Sequence, residues 1–362
     1  MTHALVKLIH EWSAATDNSS LNNYVRIVNL DFSKAFDLID HNILLSKLAG
    51  FGVSDVLIRW IANFLQNRQQ RVKIGEHLSE WLTISAGVPQ GTKLGPVLFL
   101  CMIDNFSTDC HHCKYIDDTS LYSTSSDPNS IIFQTAVTQA SQWAANHNMR
   151  LNPSKTKDTI IDFRKHERVF PTLTIDSCVI SQSDSFKLLG VIFTKKLEWS
   201  CHIDSIISKA NSRIFFLKQL KKGGGQRKDL VTFHKSIIIP ILEYACPAWH
   251  PLLTEQQHDS LEGVQKRVCR IICPFTAYSD AMRLLNIGSL RHRRDNLCIQ
   301  FFKKMESPEH VLHSLLPPKH VKARATRGVY KYQRTRFFTN RFKKCLVNWT
   351  IDQMYIYILL QL

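Results

Sequence analysis

The chain has 362 residues, and its proportions of 44% apolar and 21% charged residues are typical of a globular protein, which excludes a disordered or fibrous chain. Lysine and arginine together number 46 against 30 acidic residues, so the formal net charge is +16. This excess favours a polyanionic partner, nucleic acid before a membrane surface. No run of about 18 uncharged apolar residues occurs, and the N-terminus lacks the pattern of a secretion signal. We therefore expect an intracellular protein, nuclear or cytoplasmic, with no membrane partner.

The first 195 residues alternate strand and helix patterns, which predicts a mixed α+β domain. Residues 24–30 are apolar on both faces, as expected of a buried central strand. A helix is predicted over 34–48, and Ser54 is predicted to cap a second helix. The remaining predicted elements are short strands at 71–74, 81–84, 114–116 and 119–123, helices over 94–106 and 127–148, and strands over 158–163, 173–180 and 186–193.

After Trp199 the pattern changes to helices that carry lysine and arginine on their polar faces. These helices are predicted over 203–220, 230–239, 260–272 and 290–305. Pro317-Pro318 ends the helical block, and the stretch 319–344 then holds ten lysines and arginines and no acidic residue. We therefore predict three parts: a first domain over 1–195, a helical region over 196–318 and a basic segment over 319–362.

Ten cysteines are scattered along the chain, and they are expected to be reduced thiols. Cys110-His111-His112-Cys113 is the one cluster with metal-ligating residue types. Structural zinc sites need four ligands, usually as two separated pairs, and the other close pair, Cys269 and Cys273, lies far along the sequence. A strand that leads into the next motif explains the cluster more simply than zinc.

Two acidic positions are candidates for catalysis. Asp31 follows the predicted buried strand, at the end where α/β sheets tend to place functional groups. Asp117 and Asp118 form the tip of a tight hairpin, where adjacent carboxylates repel unless a cation neutralises them. Taken singly, each position also fits a helix cap or a solvated turn. Together, three carboxylates suit two Mg²⁺ ions, which take oxygen ligands and substrate phosphates.

Five motifs follow one another along the chain. They are Leu30-Asp-Phe-Ser-Lys-Ala-Phe-Asp37, Ala86-Gly-Val-Pro-Gln-Gly-Thr-Lys-Leu-Gly-Pro-Val-Leu-Phe99, Tyr115-Ile-Asp-Asp118, Leu151-Asn-Pro-Ser-Lys-Thr-Lys157 and Phe186-Lys-Leu-Leu-Gly190. In this order they resemble the reverse transcriptases of non-LTR (LINE-type, jockey-like) retrotransposons. The later blocks 244–249 and 261–267 resemble the region that follows the polymerase in such elements. The resemblance implies an RNA-directed DNA polymerase with an α+β right-hand fold: a palm of antiparallel sheet with helices on one face and partial fingers, then an α-helical thumb.

The resemblance also implies a role for individual residues. Asp31, Asp117 and Asp118 would be the catalytic ligands of two Mg²⁺ ions, with Mn²⁺ as the alternative metal. The implied nucleotide-binding residues are Phe32 (through its carbonyl), Phe36 (under the sugar, excluding a 2′-OH), Gln90 and Gly91. Lys155 would protonate the leaving pyrophosphate, although Lys157 is nearly as good a choice. Phe36 also fits an ordinary core aromatic.

The implied partners are an RNA template, a DNA primer and dNTPs, and the sequence predicts no particular oligomeric state. Cationic side chains are expected to contact the nucleic-acid backbone in a sequence-independent and salt-dependent way. The candidates are Lys209, Arg213, Lys218, Arg291, Arg293, Arg294, Arg334 and Arg336. Aromatic residues between the C-terminal arginines are suited to stacking on single-stranded bases.

The sequence departs from the family pattern in two places. Ile116 is bulky where most members have a small residue between the aromatic residue and the first aspartate of the hairpin. The upstream fingers motifs, whose cations position the triphosphate, are missing. We therefore expect a truncated copy with weak or no polymerase activity.

One alternative is a non-catalytic nucleic-acid-binding remnant of the same fold. Another, an iron oxygenase that uses His202-Ile203-Asp204, has no obvious second histidine.

Overall fold

The structure, a computed structural model, describes residues 1–21, 23–164, 166, 168–319, 332–333 and 335–360, with side chains up to residue 354. The chain forms two compact units. The helical unit consists of Met1–Tyr24, Ile161–Arg164 and Ser185–Leu362, and the sheet unit consists of Val25–Ile160 and Lys165–Asp184. The first 24 residues therefore cluster with the helical part of the chain and not with the sheet that follows them.

The strands belong mainly to the sheet unit. In chain order they are β1 (Tyr24–Leu30), β2 (Arg68–Gln70), β3 (Lys73–Ile74), β4 (His77–Leu78), β5 (Leu82–Ile84), β6 (His111–Tyr115), β7 (Asp118–Ser125), β8 (Lys157–Ile161), β9 (Thr174–Ile175), β10 (Cys178–Val179), β11 (Ser181–Gln182), β12 (Ser185–Leu188) and β13 (Val191–Thr194). A five-stranded sheet with the order β11-β8-β1-β7-β6 forms the centre of the unit. β6 and β7 are antiparallel, whereas β11 joins β8 in parallel. The predicted α+β class is confirmed.

The helices occupy both units. In chain order they are α1 (Thr2–Ala15), α2 (His41–Gly50), α3 (Asp55–Leu65), α4 (Leu94–Ile103), α5 (Ile132–Asn146), α6 (Ser200–Lys222), α7 (Arg227–Phe233), α8 (Ile239–Glu243), α9 (Cys246–Trp249), α10 (Glu255–Ile272), α11 (Tyr278–Leu285), α12 (Leu290–Met305), α13 (Asn340–Lys343) and α14 (Leu346–Leu360). A π-helical turn, His234–Ile238, joins α7 to α8. Within the described ranges, no helix combines the length and apolar character that a membrane span requires.

Two helices begin later than the sequence predicts. α2 begins at His41 and not at residue 34, because the carboxylate of Asp40 accepts hydrogen bonds from the N–H groups of Asn42 and Ile43 and so caps the helix there. Lys34 has a φ of +47°, which a right-handed helix does not accept. The predicted helix at 127–148 likewise begins only at Ile132.

The predicted strand over 186–193 is in fact a hairpin of β12 and β13. Its turn consists of Leu189 and Gly190, both with positive φ. The ring of Tyr244 lies over Gly190, where an added Cβ would be 3.1 Å from the ring, and the Tyr244 hydroxyl donates a hydrogen bond to the carbonyl of Leu189 over 2.8 Å. The fifth motif (186–190) and the later block 244–249, which are far apart in the sequence, are therefore in contact within the helical unit.

The N-terminal helix supplies part of the core of the helical unit. Trp12 is fully buried, and its ring meets those of Phe193 and Phe186 edge-on, with centroids 5.6 and 6.2 Å apart. Beyond the helix, the carboxylate of Asp17 accepts hydrogen bonds from the backbone of Phe338 and Thr339 just before α13. These contacts explain why residues 1–24 cluster with the C-terminal half of the chain.

Candidate active site

Asp31 directly follows β1 and is partly exposed. The loop before β8 holds its backbone: the N–H of Asn152 donates to the Asp31 carbonyl over 2.7 Å, and the N–H of Asp31 donates to the hydroxyl of Thr156 over 3.3 Å. Phe32 continues this pairing through an antiparallel bridge with Leu151. The first and fourth motifs of the sequence are therefore in direct contact at Asp31.

The hairpin of β6 and β7 carries the acidic pair. Tyr115 pairs with Asp118, so Ile116 and Asp117 form the two-residue turn, and both aspartates are exposed. Ile116 has a φ of +57°. Hairpin turns of this length need a positive φ at their first central position, but a β-branched residue rarely adopts one. The bulky residue beside Asp117 therefore has a strained backbone.

A hydrogen bond between neighbouring strands relates Asp31 to this hairpin. The hydroxyl of Ser120 on β7 donates to Oδ1 of Asn29 on β1 over 2.7 Å. Asn29 is two residues before Asp31, and Ser120 is two residues after Asp118. Side chains alternate between the two faces of a strand. Asp31 and Asp118 therefore lie on the same face of the sheet as the hydrogen bond between Asn29 and Ser120. The structure thus has Asp31 directly after β1 and Asp118 at the start of the adjacent β7, with Asp117 in the turn before it.

Replacing Ile116 by glycine is expected to stabilise the sheet unit by about 1 kcal/mol, since glycine adopts a positive φ without steric cost. Unfolding by denaturant measures the change. Ile116→Val retains a branched Cβ and is the control, for which we expect no gain. A gain in both variants would attribute the effect to side-chain size and contradict an origin in the backbone.

The loop of the second motif packs onto the segment that follows Asp31. The N–H of Gly87 donates to the carbonyl of Ile39, and the N–H of Val88 donates to the carbonyl of Phe36, each over 2.8 Å. Gly87 has a φ of +84°, and a Cβ at this position would lie 2.7 Å from the carbonyl oxygen of Asp37. Only glycine allows the two motifs to approach this closely.

The predicted nucleotide-binding residues lie around this contact. Phe36 is partly exposed and stacks on the buried ring of Phe99, with centroids 4.9 Å apart. The amide of Gln90 donates to the carboxylate of Asp37 over 3.1 Å. Gly91 has a φ of +84° and open space beside its Cα. Phe36, Gln90 and Gly91 are therefore brought together by the contact between the first and second motifs, and Phe32 lies four residues before Phe36.

The two lysines of the fourth motif have different surroundings. Lys155 is exposed in the loop that holds the backbone of Asp31. Lys157 lies on β8, and its ammonium group donates to the hydroxyl of Ser181 on the edge strand β11 over 2.8 Å. This hydrogen bond directs Lys157 away from β1, which lies on the other side of β8.

The acidic residues fit a magnesium site only in part. Among the described residues, no three His, Cys, Asp or Glu side chains are grouped closely enough to hold one ion, so a closed cage of three carboxylates is not found. Magnesium is usually bound by one or two carboxylates together with waters and substrate phosphates. Asp31 and Asp117 are accessible oxygen donors of the kind that Mg²⁺ and Mn²⁺ prefer.

Two lysines that the sequence analysis missed hold the carboxyl end of α4. The ammonium group of Lys114 donates to the carbonyls of Ile103 and Asp104, over 3.3 and 2.7 Å. That of Lys47 donates to Met102 and to the side chain of Asn105, and burial lowers its pKa to about 8. Cations are favourable at the carbonyl end of a helix. No spacing in the sequence indicates these contacts, since Lys47 and Lys114 come from α2 and β6.

Three of the predicted nucleic-acid contacts lie on α6. Lys209, Arg213 and Lys218 are all exposed. Among the described residues, no carboxylate forms an ion pair with them. Arg336 is exposed near the C-terminus and lies over the ring of Phe338, 5.0 Å from its centroid. Arg334 lies outside the described residues.

The three arginines predicted on α12 are not equivalent. Arg291 and Arg293 each form two hydrogen bonds to one carboxylate, that of Glu255 and that of Glu243 respectively. Arg294 is fully buried, and its Nε donates to Nδ1 of His250 over 3.1 Å. The prediction that Arg294 contacts nucleic acid is wrong, because its guanidinium group lies inside the helical unit.

The two minor metal hypotheses find no support. The described residues include no group of three metal-ligating side chains around Cys110, whose thiol is buried. His202 is buried between the rings of Trp199 and Trp249, and burial lowers its pKa to about 4. Asp204 is exposed on the same helix. The iron-oxygenase hypothesis is wrong, since this histidine is a core residue.

Comparison with known proteins gives one family match and several relatives. The family described as reverse transcriptase (RNA-dependent DNA polymerase) matches residues 2–193. The RNA-directed DNA polymerase from the mobile element jockey of Drosophila melanogaster is 25% identical over 299 residues, which cover 76% of this chain and 32% of that protein. The probable polymerases from the transposons X-element and BS of the same species are 24% and 22% identical and cover 84% and 85% of this chain. The chain spans about a third of the length of these relatives.

Among solved structures, telomerase from Candida albicans, in complex with a TWJ fragment of telomeric RNA, aligns with 80% of this chain and 54% of its own. The TM-score is 0.41 and the sequence identity is 11%.

Proposed function

The chain belongs to the reverse transcriptase (RNA-dependent DNA polymerase) family, as a member of the non-LTR retrotransposon type, and on this premise we propose that it transfers deoxynucleotides to a primer 3′-OH on an RNA template. The observation that carries the proposal is the hydrogen bond between Asn29 and Ser120, which joins the strand before Asp31 to the strand that begins at Asp118. The matched region includes all of these residues.

Asp31 and Asp117 are the proposed metal ligands, with Asp118 completing the acidic group. Two bound Mg²⁺ ions would activate the primer hydroxyl and stabilise the departing pyrophosphate. The carbonyl of Phe32 is a further proposed ligand. Asn152 donates to the carbonyl of Asp31, and Ser33 donates to that of Arg150. In this pattern the carbonyl of Phe32 points away from the partner segment, and it therefore stays available to a ligand.

The incoming nucleotide is proposed to bind beside Phe36, Gln90 and Gly91. Stacking on Phe99 fixes the ring of Phe36, so its exposed side presents a rigid surface that can exclude a 2′-OH from the sugar. Gln90 is oriented by its hydrogen bond to Asp37, and the open space at Gly91 allows the backbone to approach the nucleotide.

Lys155 is the proposed general acid for the leaving pyrophosphate. The hydrogen bond of Lys157 to Ser181 supports this choice between the two lysines, because it directs Lys157 to the edge strand. Lys209, Arg213 and Lys218 are the proposed contacts to the template–primer backbone, and Arg336 is a further one. Arg291 and Arg293 contribute less, since neighbouring carboxylates already balance their charges.

Primer extension tests the proposal. With Mg²⁺ and an oligo(dT) primer on poly(rA), we expect the chain to incorporate dTTP and Asp117→Asn to lower the rate by about 100-fold or more, because the charge that holds the metal is lost. Asp259→Asn changes an exposed aspartate of the helical unit and is the control. Equal incorporation by all three proteins would assign the signal to a contaminating enzyme.

A nucleic-acid-binding protein without turnover is the second candidate, since the exposed cations Lys209, Arg213 and Lys218 need no metal site to bind a phosphate backbone. It predicts salt-dependent binding of the template–primer by the wild-type chain and by Asp117→Asn, with no Mg²⁺-dependent incorporation by either protein. Binding and extension measured on the same preparation separate the two functions.

A further inference from the structure

Helices α6 and α10 of the helical unit lie side by side and run in the same direction. Three hydrogen bonds join them in the same order along both helices: Gln257 to Ser200, Arg267 to Asn211, and Lys221 to the carbonyl of Ile271. The carboxyl-terminal halves of the two helices therefore form one continuous surface.

This part of the chain is strongly cationic. Residues 209–228 contain seven lysines and arginines and no acidic residue, and residues 263–279 contain three and again no acidic residue. Helix C-termini favour nearby cations, but the effect is limited to the last turn. Lys218, Arg267 and Arg270 are exposed, and Lys218 and Arg267 lie before the last turns of their helices. The charge therefore exceeds what the helix ends require.

Three phenylalanines are exposed in these stretches, and two of them, Phe215 and Phe275, concern the surface next to α10. Phe215 on α6 is 56% exposed. Phe275 follows α10, is fully exposed, and has a φ of +63°, a conformation that bulky residues rarely adopt. An aromatic ring that extends into water from a strained backbone destabilises the free protein. Such strain is typical of residues with a function outside the folded core.

The spacing on α6 places these groups on one flank. Positions 211, 215, 218 and 222 are three or four residues apart and share a face of the helix. Asn211 bonds to Arg267, so this flank is the one next to α10. Phe216, the neighbouring exposed phenylalanine, lies about 100° away around the helix. We define the α6–α10 surface as Phe215, Lys218, Lys222, Arg267, Arg270 and Phe275.

We propose that the α6–α10 surface binds single-stranded nucleic acid, with bases stacked on Phe215 and Phe275 and phosphates beside the four cations. The inference rests on the proposed function for the nature of the ligand. Nucleic acid is favoured over a protein partner because the two stretches that carry the rings, 209–228 and 263–279, hold ten lysines and arginines and no acidic residue. Cationic grooves with aromatic side chains are the usual way to bind single strands without sequence preference.

Fluorescence anisotropy with labelled 20-mers of oligo(rU), oligo(dT) and a matched duplex tests the proposal. Phe215→Leu and Phe275→Leu are each expected to weaken single-strand binding about tenfold, with a much smaller effect on the duplex. Lys218→Gln and Lys222→Gln are expected to reduce the slope of log affinity against log salt by about 0.7 each. Phe216→Leu is the matched control, because it removes an exposed ring from the other flank of the same helix.

Phe275→Gly separates a binding role from a structural one. We expect this variant to be at least as stable as the wild type, since glycine relieves the positive φ, and yet to bind single strands about tenfold more weakly. Wild-type affinity in Phe215→Leu and Phe275→Leu, or weakening by Phe216→Leu alone, would overturn the proposal. Asp117→Asn is expected to bind normally, so loss of primer extension and loss of this site give different results.

Discussion

Asp158→Asn is expected to destabilise the sheet unit by about 3–5 kcal/mol, because it leaves the charge of Arg26 buried and uncompensated. Both side chains are 0% exposed and lie on the adjacent strands β8 and β1. Nη2 of Arg26 donates to Asp158 over 2.6 Å and to the carbonyl of Pro171 over 2.7 Å, and its Nε donates to Asp158 over 3.0 Å. Asparagine is similar in shape, so the variant removes charge and little volume.

Unfolding by denaturant measures this loss, and hydrogen exchange of the β1 amides assigns it to the sheet unit. Asp280→Asn is the control: Asp280 pairs with Arg283 over 3.7 Å at the surface, and its loss is expected to change stability by less than about 0.5 kcal/mol. The double variant Arg26→Met/Asp158→Leu is expected to recover most of the stability, since no charge is then buried. A change below about 1 kcal/mol in Asp158→Asn would contradict a buried ion pair.

The strand β1 shows which elements a local sequence pattern can predict. β1 has the predicted bounds because five of its seven residues are apolar and six are buried, so burial of the strand on both faces determines the element. Helix α2 does not include residues 34–40 of the predicted helix, because a tertiary contact and not a local pattern determines their conformation. The carbonyls at 36 and 39 accept hydrogen bonds from the loop at 87–88, and that tertiary contact, which no local pattern contains, replaces the predicted helical turns.

The burial of Arg294, in contrast, could be predicted from the sequence. Leu290, Cys298 and Phe302 are buried on α12, and position 294 falls in the same series with a spacing of four. The charge of Arg294 predicts exposure and its spacing predicts burial, and the structure agrees with the spacing. The candidate site itself depends on the resemblance of the motifs, since no periodic pattern relates Asp31 to a hairpin 86 residues later.

Acidification is expected to destabilise the helical unit before the sheet unit. Burial lowers the pKa of His202, His234 and His258 to about 4, and all three belong to the helical unit. In the unfolded chain their pKa is about 6.5. Between pH 4 and pH 6.5 the unfolded state binds more protons than the folded state. The stability that is present above pH 6.5 is therefore lost as the pH falls towards 4. At pH 5 the loss is about 2 kcal/mol for each fully buried histidine.

His234 offers the sharpest test, because it is 0% exposed and burial outweighs the effect of its polar neighbour Gln265 on the pKa of the ring. His234→Leu is expected to keep about the wild-type stability at pH 7.5, since a buried polar ring is replaced by an apolar side chain. At pH 5 it is expected to be more stable than the wild type by about 2 kcal/mol, as one protonation no longer favours unfolding. His292→Gln, at an exposed position of α12, is the control. Denaturant unfolding at both pH values measures the difference, and a full wild-type pH dependence in His234→Leu would show that this buried histidine does not cause it.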